Sequence, residues 1–117
     1  MYLIGAFFLI FSLWMIFSPP RIWINVTKRV DLSEPVRTGE VLVNRYECRN
    51  CHIIGDSGGW IAPSLTGITT AMEDELLRQW LREPNSVQGP TAMPDFTLSD
   101  TEIEAIVSYL QDVDASH

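Results

Sequence analysis

Cys48-Arg49-Asn50-Cys51-His52 is the stretch on which the reading of this chain turns. Two thiols three residues apart, with a histidine directly after them, form the spacing for attaching a c-type haem. Each thiol can add across one vinyl group, and His52 can then take one axial position on the iron. The two sulfurs must reach two vinyls on one edge of the porphyrin while the imidazole comes up beneath its centre. A bare CxxC could also be a redox dithiol or half of a zinc site. The βαβ pattern of a redox dithiol is missing here. A zinc site lacks ligands, because the chain has only these two cysteines and two histidines. The second histidine, His117, is the last residue and is expected to be mobile.

The rest of the composition fits that reading. A chain of 117 residues suits one small domain plus an extension. Without haem, such a domain is near the lower limit for a self-sufficient core, and a buried porphyrin would supply apolar interior. Both cysteines are consumed, so no disulfide is expected. Charge is unevenly spread: residues 1–36 hold three basic and two acidic side chains, while residues 37–117 hold five arginines against thirteen carboxylates. An acidic domain argues against nucleic acid, which selects basic patches. Two readings of the acidity stay open: a solvated surface, or a negative docking face for a basic redox partner.

Residues 1–20 carry no charged side chain, and Tyr2 to Phe17 is apolar apart from Gly5 and Ser12. A helix over residues 1–18 would be roughly 27 Å long, just enough for a hydrocarbon core of roughly 30 Å. Pro19 and Pro20 mark its end. A cleaved signal peptide is the competing reading, but there is no basic start and no small-residue cleavage site. The stretch is therefore expected to be a retained transmembrane anchor. Arg21, Lys28 and Arg29 follow it, which by charge bias alone would place the C-terminal side in the cytoplasm. The resemblance of the CxxCH motif to c-type cytochromes implies haem attachment on the opposite side, and that expectation is given priority. Residues 21–36 read as a tether, with Pro35 stopping any helix before it. Its apolar Ile22, Trp23, Ile24 and Val26 suggest that part of it lies on something.

A haem domain is expected over residues 37–117. A helical pattern begins at Thr38, its N-cap candidate, and runs through Val41, Leu42 and Tyr46 toward Cys48. Gly39 in its first turn weakens it by about 1 kcal/mol against Ala and implies a packing reason. Glycines 55, 58 and 59 make a loop after the motif. Glu73 to Glu83 is a second helix, with Leu76, Leu77, Trp80 and Leu81 on one face, stopped by Pro84. Asn85 to Pro94 reads as loop. Ser99-Asp100-Thr101-Glu102 is a capping box, with Leu98 and Ile103 placed as a hydrophobic staple. Ile103, Ile106, Val107 and Leu110 repeat at helical spacing behind it. Asp112 and Asp114 sit at the wrong end for the helix dipole, so fraying is expected there.

The iron needs a second axial ligand. Met1 and Met15 lie in the apolar leader, and Met72 opens the second helical pattern, where packing is the usual role. Met93 lies in a proline-bounded loop, Gly-Pro-Thr-Ala-Met-Pro-Asp-Phe, stiff enough to hold a thioether at a set distance. Histidine and methionine together raise the reduction potential, because the thioether favours Fe(II).

Taken in order, Gly39, the CxxCH motif, Pro63-Ser64-Leu65, Trp80, Met93-Pro94 and Tyr109-Leu110 resemble a bacterial class I, mono-haem cytochrome c over residues 38–114. That resemblance implies an all-α fold of three to four short helices around one covalent haem c. It implies that Gly39 lets the first helix cross the last one against Tyr109. It also implies that the Pro63 carbonyl accepts the Nδ1 hydrogen of His52, that Leu65 packs on the haem face, and that Trp80 lies near the haem or its propionates. Val43 and Ala62 depart from the family pattern, where an aromatic and a glycine are common. With its anchor, the chain resembles the small haem subunit of bacterial nitric-oxide reductase and the anchored cytochrome c subunits of other respiratory or photosynthetic complexes. The implied role is one-electron transfer at the bacterial inner membrane, with the haem domain on the outer face. The implied partners are integral membrane redox subunits, a soluble donor or acceptor, or both. A haem sensor or a peroxidase-like enzyme with a labile sixth ligand is the alternative.

Overall fold

A computed structural model describes residues 1–117 and contains seven α-helices and one short hairpin. Helix α1 covers Tyr2–Phe17 and α2 covers Arg21–Thr27, bent by 65° from α1 across the Pro19-Pro20 break. No single helix is long and apolar enough to cross a membrane, although α1 and α2 together reach that length and composition. Helix α3 (Pro35–Arg45) leads into a 3-10 turn at Cys48–Asn50. Strands β1 (Ile53–Ile54) and β2 (Ser57–Gly58) pair antiparallel, Ile53 opposite Gly58 and Ile54 opposite Ser57. Then come α4 (Ile68–Ala71), α5 (Asp74–Arg82), α6 (Pro84–Gln88) and α7 (Asp100–Ser116). The helical domain that the periodicities imply is present. The hairpin and α6 were invisible to period counting, because neither is long enough to show a period.

The centre of the domain is the crossing of α3 and α7. Leu42 and Val43 from α3 meet Ile103, Ala105, Ile106, Val107, Tyr109, Leu110 and Val113 from α7, with Leu77 and Leu81 of α5 closing one side. Each fully buried Leu, Ile or Val contributes roughly 1.5–3 kcal/mol. The crossing is close because of Gly39. A Cβ there would fall on the Ala105 carbonyl oxygen and lie 2.6 Å from Tyr109 Cβ. The packing reason expected for that glycine is thus the approach of α7, as the family resemblance implies.

Helix α7 starts as read: the Ser99 side chain accepts from the Glu102 N–H, and the Glu102 carboxylate accepts from the Ser99 N–H at 2.9 Å. Its far end does not fray. The Asp114 carboxylate accepts from the N–H of Gly67 at 2.6 Å, and from the N–H and hydroxyl of Thr69 at 2.9 and 2.6 Å. It therefore caps α4, and α4 in turn ties down the acidic end of α7. Burial alone would raise the Asp114 carboxyl, but the hydrogen bonds from Thr69 and Gly67 outweigh it and hold it below the ordinary carboxylate value. His117 is held too, with Nδ1 3.0 Å from the Val113 carbonyl and Nε2 3.4 Å from Asp56.

Two expectations for residues 21–38 are corrected. No helix runs into Pro35, as read, but Pro35 itself opens α3, because a first-turn N–H has no intrahelical acceptor to lose. Thr38 is therefore inside α3, its hydroxyl donating to the Asp31 carbonyl at 3.2 Å. Nor is the segment from Arg21 an extended tether. Its first seven residues are helical, and Arg21, Asn25 and Lys28 bind the start of α7 and the loop before it.

Candidate haem site

The attachment motif sits on a tight turn. Glu47 takes a left-handed conformation (φ 56°), and the N–H groups of Cys51 and His52 both donate to the Cys48 carbonyl, at 3.2 and 3.0 Å. This turns the chain back within three residues and leaves both thiols half-buried. Burial pushes the Cys48 thiol above its ordinary value. Arg49, between the cysteines, pins the turn from three sides. It donates to the Tyr109 hydroxyl at 2.6 Å, the Asn44 side chain at 3.3 Å and the Ser57 hydroxyl at 3.2 Å. Gly58 must be glycine: its φ is +140°, and a Cβ there would enter the His52 carbonyl.

His52 Nδ1 lies 2.7 Å from the Pro63 carbonyl oxygen. A carbonyl only accepts, so Nδ1 carries the proton and Nε2 keeps its lone pair for a metal. Pro63 is brought there because the Leu65 N–H donates to the Ile53 carbonyl at 2.8 Å and the Ala62 N–H to the Cys51 carbonyl at 2.9 Å. Leu65 packs half-buried against the core, as do Cys48, Met72 and Met93.

Met93 lies between α6 and α7. Its N–H donates to the Thr91 hydroxyl at 3.3 Å, and the Trp80 indole N–H donates to its sulfur at 3.1 Å. Trp80 thus reaches Met93 from α5, a pairing that spacing along the chain does not announce. Cys48, Cys51 and His52 share one turn, His52 meets Pro63, and Trp80 meets Met93. Sequence reading missed Arg49, which anchors the turn, and Lys28, which reaches the loop after Met93. Neither carries a sequence signal, because Lys28 acts through partners 68 and 69 positions away and Arg49 joins the nearby Asn44 and Ser57 to Tyr109, 60 positions away, in no recognisable pattern.

The attachment turn suits a covalent haem: it holds two thiols together and an imidazole oriented through Nδ1. The family model for "Cytochrome C oxidase, cbb3-type, subunit III" matches residues 34–110. The chain belongs to this cytochrome c family. As a cytochrome c it carries one haem c, bound covalently through Cys48 and Cys51. The cytochrome is 28% identical to the C subunit of nitric oxide reductase from Halomonas halodenitrificans, over 90% of this chain and 76% of that protein. It is 30% identical to the corresponding nitric oxide reductase protein of Paracoccus denitrificans, over 72% of this chain and 64% of that protein. It is also 29% identical to cytochrome c oxidase subunit 2 of Alkalihalophilus pseudofirmus, but over only 28% of that longer protein.

Proposed function

We propose that this cytochrome is a membrane-anchored one-electron carrier with His52 and Met93 as the axial ligands of its iron. We propose further that it serves as the electron-transfer subunit of a respiratory or photosynthetic oxidoreductase complex. The observation that carries the reading is the pair of supported donors: His52 held through Nδ1 on Pro63, and Met93 sulfur held by Trp80. The haem supplies a reversible Fe(III)/Fe(II) couple. The chain's own residues set its terms. Pro63 keeps His52 in one tautomer and orientation. Trp80 fixes the Met93 thioether and draws electron density from it. The half-buried Leu65 adds an apolar wall. A sixth ligand supported in this way suits electron transfer and leaves no place for a small substrate. The relatives named as subunits of nitric oxide reductase favour assembly with an integral membrane redox subunit.

The anchor in this reading is α1, about 24 Å long at 1.5 Å per residue and so slightly short of the hydrocarbon core. A bilayer accommodates such a mismatch by local thinning. Helix α2 then lies near the headgroups, presenting Ile22 (78% exposed), Trp23 and Val26 (70% exposed) on one side. Two of the three basic residues after the anchor, all but the exposed Arg29, weigh less against an outward haem domain. Arg21 is paired with Asp100, and Lys28 with Glu102 at 3.6 Å, so both charges are answered within the protein.

The test is spectroscopic. Native protein should show a sulfur-to-iron band in the near infrared and should bind no carbon monoxide when ferrous. Met93→Ala should lose the band, bind carbon monoxide and have a lower potential, while Met72→Ala should keep all three properties. Ready carbon monoxide binding by native protein would instead support a sensor or peroxidase-like role. For the anchor, the full chain should stay with membranes through a high-salt wash, since apolar insertion is not screened by salt.

A further inference from the structure

The loop that carries Met93 is held from the membrane side of the chain. We propose that Lys28, at the end of α2, is a positioning residue for the sixth ligand: its ammonium clamps the loop behind Met93 and keeps the thioether on the iron. This rests on Met93 being that ligand.

Lys28 Nζ donates to the Phe96 carbonyl at 3.1 Å and to the Thr97 carbonyl at 2.9 Å. Those are the third and fourth residues after Met93, with the rigid Pro94 next to it. The loop needs such a clamp. Thr97 is β-branched and sits at φ 50°, a left-handed conformation that such residues avoid and that only surrounding contacts sustain. Two of the contacts are internal: Asp95 accepts the Thr97 N–H at 2.8 Å, and the Thr97 hydroxyl donates to the Phe96 carbonyl at 2.7 Å. Lys28 supplies the only charged donor to these carbonyls. The Phe96 ring packs on Tyr46 with centroids 5.4 Å apart, and Lys28 Nζ stands 5.2 Å from the Tyr46 centroid, so one cation serves both carbonyls and the ring beneath.

Lys28 is itself set in place from several sides. Its own carbonyl accepts from the Ser99 hydroxyl at 2.8 Å, and the next N–H but one, on Val30, donates to Thr101 at 3.0 Å. One turn earlier, Asn25 and Asp100 exchange two hydrogen bonds of 2.7 and 2.9 Å. Arg21 also donates to Asp100, and Arg82 of α5 reaches it at 3.3 Å. The other end of the ligand loop is held within the haem domain by Thr91 and Trp80. Releasing α2 therefore loosens one end only, the end where Thr97 is strained, leaving it to Phe96 on Tyr46 and to the buried Leu98.

The experiment uses full-length holoprotein in detergent: wild type, Lys28→Met, Lys28→Arg, Asn25→Ala and Met93→Ala. The readouts are the near-infrared sulfur-to-iron band, the rate of carbon monoxide binding to the ferrous form, and helical circular dichroism. Lys28→Met keeps covalent haem and helix content but weakens the band and speeds carbon monoxide binding by about tenfold or more, the scale of one lost charged hydrogen bond. Lys28→Arg restores most of both, since a guanidinium can also donate to two carbonyls. Asn25→Ala shifts both in the same direction by less. Lys28→Met within twofold of wild type overturns the proposal. So does a Lys28→Met loss that arginine fails to rescue while Asn25→Ala is silent, since that pattern marks general packing. Should Lys28→Met not mature, an unchanged carbon monoxide rate in Asn25→Ala is the refuting result. If wild type already lacks the band and binds carbon monoxide like Met93→Ala, the ligand assignment itself has failed, and this proposal falls with it.

Discussion

Gly39→Ala is the sharpest test of the packing that holds the site. A methyl at residue 39 would lie 2.6 Å from Tyr109 Cβ and 2.7 Å from the Ala105 carbonyl carbon. Ordinary carbon contacts are about 3.5–4.0 Å, so α3 and α7 must separate by about 1 Å. Such a gap forfeits a quarter to a half of each contact across the crossing, and it lies beside the fully buried Leu42 and Val43. The main obstacle is backbone, which no rotamer change relieves, so the overpacking cost belongs in the upper part of the usual range of about 1–3 kcal/mol. Against it stands a helix-propensity gain of about 1 kcal/mol. The net loss is about 1–2 kcal/mol, equivalent to a melting temperature lowered by roughly 5–15 °C for a domain of this size. Thermal unfolding of the holoprotein, followed by circular dichroism, measures it, and covalent haem cannot dissociate during the scan. Gly5→Ala, with nothing within 4 Å of the added methyl, is the control and should not lower the midpoint. A Gly39→Ala protein that melts at or above wild type would show that the two helices do not approach this closely.

Further outcomes follow from individual contacts. On the proposed ligation by Met93, Trp80→Phe should lower the potential, by at most on the order of 40 mV for one electron if the whole of the roughly 1 kcal/mol N–H to sulfur bond favoured the reduced form; protein-film voltammetry reads it. Asp114→Ala removes three hydrogen bonds that cap α4 and should cost about 1–2 kcal/mol in a denaturant titration. The Arg21 hydrogen bond, aided by Asn25, holds the Asp100 carboxyl below its ordinary value of 3.8. Its stabilisation is thus full above that ordinary value and lost as pH falls through the lower folded value. Asp100→Asn should therefore flatten the acid end of the stability profile, measured as melting temperature against pH.

Legibility from sequence followed the range of each interaction. Cys48, Cys51 and His52 are a local device, because chemistry on one porphyrin edge forces their spacing. The capping box at Ser99 and the apolar face of α7 are local as well, since a helix repeats every 3.6 residues and its start needs particular side chains. The role of Pro63 was legible only through resemblance to a family, while Gly39 announced a packing reason and Trp80 an apolar face by their places in helices, with partners that only the resemblance named. The structure shows His52 on the Pro63 carbonyl, Gly39 against Ala105 and Tyr109, and Trp80 donating to Met93.

What the sequence alone determined is a covalent haem motif in a small helical domain behind an uncharged apolar leader. Only the tertiary structure decided how residues 21–38 behave. Pro35 is a barrier to a helix arriving from its N-terminal side and a natural first residue for one leaving it, and the local sequence does not say which applies. Arg21, Asn25 and Lys28 look like solvated residues on a tether until Asp100, Glu102 and the carbonyls of Phe96 and Thr97 come within reach. The acidic end of α7 looks frayed until Gly67 and Thr69 donate to Asp114. In each case a charge carries no address along the chain. Its energy depends on distance and burial in space, and those exist only once the helices have packed.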